Sequence, residues 1–400
     1  MITTASAGDR IAVKYVCDGN FRIAKRLTLV GRATPGRAKA GLNANGVGRV
    51  LRVSGGTVRL SNLKVTGGAG TCTDRVDFVG GGIYVSGSRF AKDGTLIRNG
   101  ILTLKDVVVR GNTACYGGGI YLADGLSESG SVTLKGVSSI RANKAFAGGG
   151  GIYSDWGPIT LNGSSSVNRN FAAGGGGIYM MEAATLTMND TSTVSKNVAR
   201  SGGGIYLTCR CELFPGPVTL NDSARVSGNV ARRGPGGGIY SDGGVEMNDT
   251  SSVSRNAAAY GGGGIYTLYG WLAVNNHAVV LGNTARRGGG VYAGEADVRL
   301  YGSGKVRGNT ARRRGGGMYV AGEDYGSVVM NGSASVSGNE AASYGGGMFV
   351  REQEVTLNGS SSIKNNSAES GGGIYNELGT VILNDLASVI GNMPDDCVGC

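Results

Sequence analysis

Apolar residues along this chain come in short beats that alternate with polar ones, and one beat returns throughout: two glycines, an aliphatic residue, then an aromatic one. It runs from Gly81-Gly82-Ile83-Tyr84 to Gly372-Gly373-Ile374-Tyr375, and its aliphatic member is Ile83, Ile120, Ile152, Ile178, Ile205, Ile239, Ile265, Val291, Met318, Met348 and Ile374. A second beat follows in each unit, as at Leu134, Leu161, Met247, Leu300 and Leu357. The third reads Val-x-x-Asn-x-Ala, with asparagines from Asn112 to Asn366 and a final Asn392. Each beat is too short for a helix, is rich in Val, Ile and Thr, and is bounded by glycine, so the pattern predicts three short strands per unit.

Three strands repeated at a near-constant period cannot bury an apolar face alone, but stacked units form three parallel sheets around one core. The expected fold is therefore all-β: a single-stranded right-handed parallel β-helix of about 12 coils of roughly 27 residues, the hand following from the rule for connections that return to one sheet. Residues 1–68 read as an N-terminal cap with the first irregular coils, 69–392 as regular repeats and 393–400 as a Cys-containing tail, all one continuous domain. Between the second and third beats stand pairs such as Asn162-Gly163, Asn189-Asp190, Asn221-Asp222 and Asn358-Gly359. These residues tolerate a left-handed backbone, so this column predicts a repeated tight bend rather than a set of calcium ligands. The Val-x-x-Asn column is expected to form a hydrogen-bonded ladder.

Composition adds two facts. Glycine, 76 of 400 residues, clusters at one phase of the repeat, as a structure requires and a linker does not. The formal charge of +11, carried more by Arg than by Lys, suits an anionic partner such as an acidic glycan, a cell-wall polymer or nucleic acid, against the plainer reading of solubility and genome bias. No sequence-specific nucleic-acid partner, no membrane span and no cofactor is expected; residues 1–12 lack the features of a signal peptide, and oligomeric state is left open.

Two columns could carry binding. With period 2, an inward Ile205 places Tyr206 outward, and with it Tyr84, Tyr121, Tyr153, Tyr179, Tyr240, Tyr266, Tyr292, Tyr319, Phe349 and Tyr375. Such a stripe could stack sugar rings; the favoured alternative is that neighbouring rings stack on each other or lie under turn loops. The second column, between Asn-x-Ala and the glycines, holds Arg200, Arg232, Arg233, Arg286, Arg287, Arg312, Arg313 and Arg314, a basic ridge fit for an anionic polymer or merely solvated. Longer connections after Ile83, Ile120, Ile205 and Met318 all leave the same phase of the repeat and flank the tyrosine face.

Catalytic equipment is sparse. The lone His277 sits in the turn column, and Asp395-Asp396 falls after the last expected strand, so neither supplies an acid and nucleophile pair. A polysaccharide lyase or hydrolase on the same fold remains the alternative to a non-catalytic binder. Seven cysteines leave one unpaired at least. Stacking puts Cys72 and Cys115 at equivalent positions of adjacent coils, roughly 5 Å apart, and predicts their disulfide. Cys209 and Cys211 in an inserted loop, and Cys397 and Cys400 at the end, are bridges or zinc half-sites too far apart to share a metal; with Cys17 their pairing is left open.

Gly-Gly-Gly-Ile-Tyr together with Val-x-Gly-Asn-x-Ala resembles the paired motifs of polymorphic outer membrane protein repeats and related bacterial β-helix surface proteins. Those families use Gly-Gly-Ala-Ile and Phe-x-x-Asn; here a third Gly replaces Ala and Val or Ile replaces Phe, which points to the wider pectate-lyase-like superfamily. Leu27-Thr28-Leu29-Val30-Gly31 and Asn392-Met393-Pro394-Asp395-Asp396-Cys397 look like the edges of such domains. The resemblance covers residues 23 to 400. It implies a secreted or surface-exposed, adhesin-like protein and names no catalytic residue.

Overall fold

The computed structural model describes residues 2–32, 39–70, 72, 78–90, 94–209, 216–322 and 326–400. Regular structure among them is β, and the chain divides into two compact units: Met1–Val198 with Cys209–Leu213, and Ala199–Thr208 with Phe214–Cys400.

In the first unit every coil sends one strand to each of three parallel sheets. The first sheet stacks Arg10–Val13, Leu27–Gly31, Gly56–Ser61, Gly100–Lys105 and Ser131–Lys135 in that order. The second stacks Lys64–Thr66, Val108–Arg110 and Ser139–Arg141. The third carries the glycine-led beat, with Ile83, Ile120, Ile152 and Ile178 in register. Strands before residue 68 obey the same scheme: Phe21–Ile23 pairs with Leu51–Val53, which pairs with Ile83–Val85. The three-residue strands Val16–Asp18 and Gly41–Asn43 are too short and too polar for periodicity to find.

The second unit repeats the plan. Ile239, Ile265, Val291, Met318, Met348 and Ile374 form one column, and Val226, Val253, Val280, Val306, Val336 and Ile363 another. All are fully buried, so the inner residue of each three-residue strand supplies the core. A parallel β-helix with three principal strands per coil results.

One ladder escapes the periodicity. The Asn-x-Ala segment itself pairs from coil to coil, as Val230–Ala231, Ala257–Ala258, Thr284–Arg287, Thr310–Arg314 and Glu340–Ala341. Its inner residues, Ala231, Ala258 and Ala285, form a small buried cluster. Alanine fits because the buried asparagine amide already occupies the corner beside it. Asn256 shows the geometry: it donates to Val226 O (3.0 Å) and to Asn283 Oδ1 (3.0 Å), and its Oδ1 accepts from the backbone and side chain of Asn229. The same links run through Asn112, Asn143 and Asn170 to Asn197 in the first unit.

The glycine triplet follows from this corner. Gly236 has φ +69°, and a Cβ on Gly238 would meet Gly264 O at 2.6 Å and Asn256 Nδ2 at 2.9 Å. The first glycine makes the left-handed bend; the third lets adjacent coils and the amide ladder touch.

Candidate functional site

In-register strands set the tyrosines one strand spacing apart, close to aromatic stacking distance. In the first unit Tyr84, Tyr121, Tyr153 and Tyr179 stack at 5.6, 5.1 and 5.1 Å between ring centres, with planes within 13°. In the second, Tyr206, Tyr240, Tyr266, Tyr292, Tyr319, Phe349 and Tyr375 do the same at 4.4 to 5.6 Å. Within each ladder the neighbours cover the ring faces, and Tyr153, Tyr266 and Tyr319 are buried. A ligand approaching the middle of either ladder meets ring edges and phenol hydroxyls, not open faces. Burial raises the phenols of Tyr121, Tyr206, Tyr240 and Tyr266 above the ordinary tyrosine value, and pushes Tyr292 up to about 12.

The tyrosine rows carry acids that the repeat pattern missed. In the first unit Tyr121 donates its hydroxyl to Asp155 Oδ2; in the second Thr208 donates to Asp242 Oδ2 at 2.8 Å. Burial raises both carboxyls above the usual carboxylate range, although their hydrogen bonds oppose it. The signal was present: Ile-Tyr-Ser-Asp occurs at 152–155 and again at 239–242. Nearer the end of the second ladder, Tyr292 and Tyr319 floor an open groove of about 420 Å³ edged by Glu295, Arg351 and Glu352.

The arginines of the second column differ among themselves. Arg200, Arg232, Arg233, Arg312 and Arg313 are exposed. Backbone bonds from Arg232 to Ala199 O and from Arg233 to Arg200 O put the first three on adjacent coils, while Arg286 and Tyr344 bond to Tyr260 O and Arg313 O. Arg287 and Arg314 turn aside onto the aromatic rows: Arg287 lies 5.6 Å from the Tyr319 ring centre and Arg314 4.9 Å from that of Phe349. Among the described residues no carboxylate pairs with any of the eight; the ion pairs there include Arg299–Asp297 and Arg351–Glu352. Exposed Tyr260 interrupts the row, with Arg287 above it.

The turn column is structural in its contacts. Asp190, Asp222, Asp249, Asn276 and Asp385 have φ near +55°, and each of three carboxylates accepts a backbone N–H from the preceding coil: Gly163 to Asp190, Asp222 to Asp249, Gly359 to Asp385. Exposed His277 takes a place in the same bend. Asp395-Asp396 requires a correction. The structure sets one more strand after them, Cys397–Val398 against Ile374–Tyr375, and Asp396 closes the asparagine ladder. A two-residue strand is too short to register as a repeat.

Cys72 and Cys115 stand as a disulfide with Cα atoms 4.9 Å apart, and Cys397 and Cys400 as another at 6.0 Å. Cys17 is an exposed thiol, Cys209 lies beside Glu182, and Cys211 falls outside the described residues. No group of three or more potential metal ligands is gathered among the described residues, and no helix is long and apolar enough to cross a membrane.

Residues 360–377 match the Chlamydia polymorphic membrane protein (Chlamydia_PMP) repeat. The matched segment holds one of each structural part: the strand Ser362–Lys364, ladder residue Asn366, and the strand Ile374–Glu377 with its tyrosine. No curated protein and no solved structure gives a match. The chain is thus a parallel β-helix repeat protein that carries a repeat similar to that of the polymorphic membrane proteins.

Proposed function

We propose that the protein is a non-catalytic, surface-displayed β-helix that holds an anionic polymer, such as an acidic glycan or cell-wall polysaccharide, along the arginine edge of its second unit. The observation that carries this reading is the exposed set Arg200, Arg232, Arg233, Arg312 and Arg313, without a carboxylate partner among the described residues. Guanidinium groups on the same or adjacent coils, as in Arg200 with Arg232 and Arg233 or Arg312 with Arg313, repel one another, and a polyanion running along the edge relieves that repulsion. The tyrosine rows support the edge from behind, since Arg287 and Arg314 rest on them. Similarity to polymorphic membrane protein repeats, whose families are adhesin-like, supports display at a surface.

The test is retention on immobilised heparin and on polygalacturonate at two salt concentrations. Reversing Arg232, Arg233, Arg312 and Arg313 to Glu should abolish salt-sensitive retention while leaving the circular dichroism unchanged. Equal retention by the variant would remove the proposal. Release of reducing ends or unsaturated products from a glycan panel would replace it with the polysaccharide-degrading alternative.

A further inference from the structure

The tyrosine column of the first unit does not begin with tyrosine. In register with Tyr84, the two preceding coils place Arg52 and Arg22. Tyr121 covers one face of the Tyr84 ring, and the Arg52 guanidinium lies 5.1 Å from the ring centre. A second guanidinium, Arg49, lies 4.7 Å from the same centre, its Nε and Nη2 held by Val79 O. Two cations therefore crowd one ring.

Two more converge on a single buried serine. Arg22 Nε donates to Ser54 Oγ at 3.1 Å, and Arg89 Nη2 donates to Ser54 O at 3.1 Å while its Nη1 donates to Ser86 Oγ at 3.0 Å. Ser54 is fully buried, so both forks are tied to a rigid point rather than floating on a surface. Arg52 alone donates to nothing among the described residues, and its Nε is shut off from solvent without an acceptor. No described carboxylate pairs with any of the four arginines. Burial and the neighbouring Arg52 push Arg49 down to about 10, as crowded like charge requires.

A buried donor without an acceptor destabilises the fold, and like charges held together add to that. The Nη groups of Arg52, unlike its Nε, are not closed off, and a ligand at the surface can supply their acceptors. We propose that Arg22 and Arg52, flanked by Arg49 and Arg89, form a binding site for one tetrahedral oxyanion, a sulfate or phosphate monoester, on the outer face of the third sheet. The forks of Arg22 and Arg52 sit one strand apart and cannot share the single pair of oxygens of a planar carboxylate. A tetrahedral group presents a separate edge to each. Arg49 and Arg89, already tied by hydrogen bonds, supply charge and fix the outline of the site. The site is separate from the arginine edge of the second unit and stands or falls without it.

The full chain should bind inorganic sulfate and phosphate saturably at one site in calorimetric titration, beyond the response to chloride at equal ionic strength. Glucose 6-sulfate and glucose 6-phosphate, as further probes, identify the source by which binds more tightly. Arg22→Gln with Arg52→Gln should weaken binding at least tenfold, whereas Arg312→Gln with Arg313→Gln should leave it unchanged. Because Arg52 packs on Tyr84, Arg22→Gln alone, at an exposed side chain, is the control for folding and should weaken binding severalfold. Absence of saturable binding in the wild type, or equal binding by the Arg22→Gln variant, would overturn the proposal.

Discussion

Asn392 gives both its backbone N–H and its side-chain amide to one oxygen of Asp396, at 2.8 and 2.9 Å, only four residues further on. Every earlier asparagine of this ladder in the second unit is answered by an asparagine of the next coil, so Asp396 stands where a further amide would come. Asp396→Ala should leave the backbone N–H without this acceptor and the side-chain amide with Ile363 O alone, and fray the last coil. Hydrogen exchange of the Asn392 amide should rise by at least tenfold, equivalent to about 1.4 kcal/mol of lost local protection. Asp396→Asn keeps an acceptor oxygen and should stay close to wild type; equal exchange in the alanine variant would show that the cap does nothing.

Within the ladder the same loss is larger. Asn256→Ala would take from Val226 O its side-chain donor, and from the backbone N–H and side-chain amide of Asn229 the oxygen they share, all buried. At about 1–3 kcal/mol for each buried group, the variant should lose roughly 3 kcal/mol or more in denaturant unfolding. Asn256→Asp tests the cause, because a carboxylate still accepts from Asn229 but cannot donate to Val226 O. It should also be strongly destabilised at neutral pH, where the buried charge has no cation to meet.

The parts that were legible in the sequence are those that repeat at a fixed phase. Ile239 and Asn256 sit where the spacing puts them, because burial and amide pairing act identically in each coil. Side-chain direction was not legible in the same way. Arg287 and Arg314 occupy the basic column by spacing, yet aromatic neighbours draw them onto Tyr319 and Phe349. Arg52 belongs to the tyrosine column but shares no chemistry with tyrosine, so only the strand register Leu51 to Ile83 reveals its place. Asp155 and Asp242 lie beyond the beat, in connections whose length varies, and periodicity has no hold on them.

The Asp155 carboxyl is raised above the ordinary value by burial, and this fixes the sign of its effect on stability. A group with a raised folded-state pKa contributes stability that is fully present below its unfolded value, about 3.9, and is lost as pH rises through the folded value. Asp155→Asn keeps an acceptor for the Tyr121 hydroxyl and does not titrate. The variant should therefore gain stability relative to wild type as pH is raised from about 4 to 7, with the difference smallest in acid. Unfolding midpoints measured across that range check it; a difference of the opposite slope would mean that hydrogen bonds from Tyr121, Tyr153 and the Asp124 backbone outweigh burial.

Cys115 is buried on the short strand Thr113–Tyr116, and its backbone N–H donates to Phe78 O at 2.7 Å. A bridge between it and Cys72 closes a separation of 43 residues that contains the strand Ile83–Val85. Restricting an unfolded loop of that length is worth up to about 4 kcal/mol in the chain-entropy account. Cys115→Ala should therefore lower the stability of the first unit measurably, and non-reducing peptide mapping should recover Cys72 and Cys115 in one linked fragment. Exposed Cys17 serves as the internal control, labelled by a thiol reagent before any reduction. If Cys72 and Cys115 take up the same reagent under those conditions, the bridge is absent and the coil is held by its strands alone.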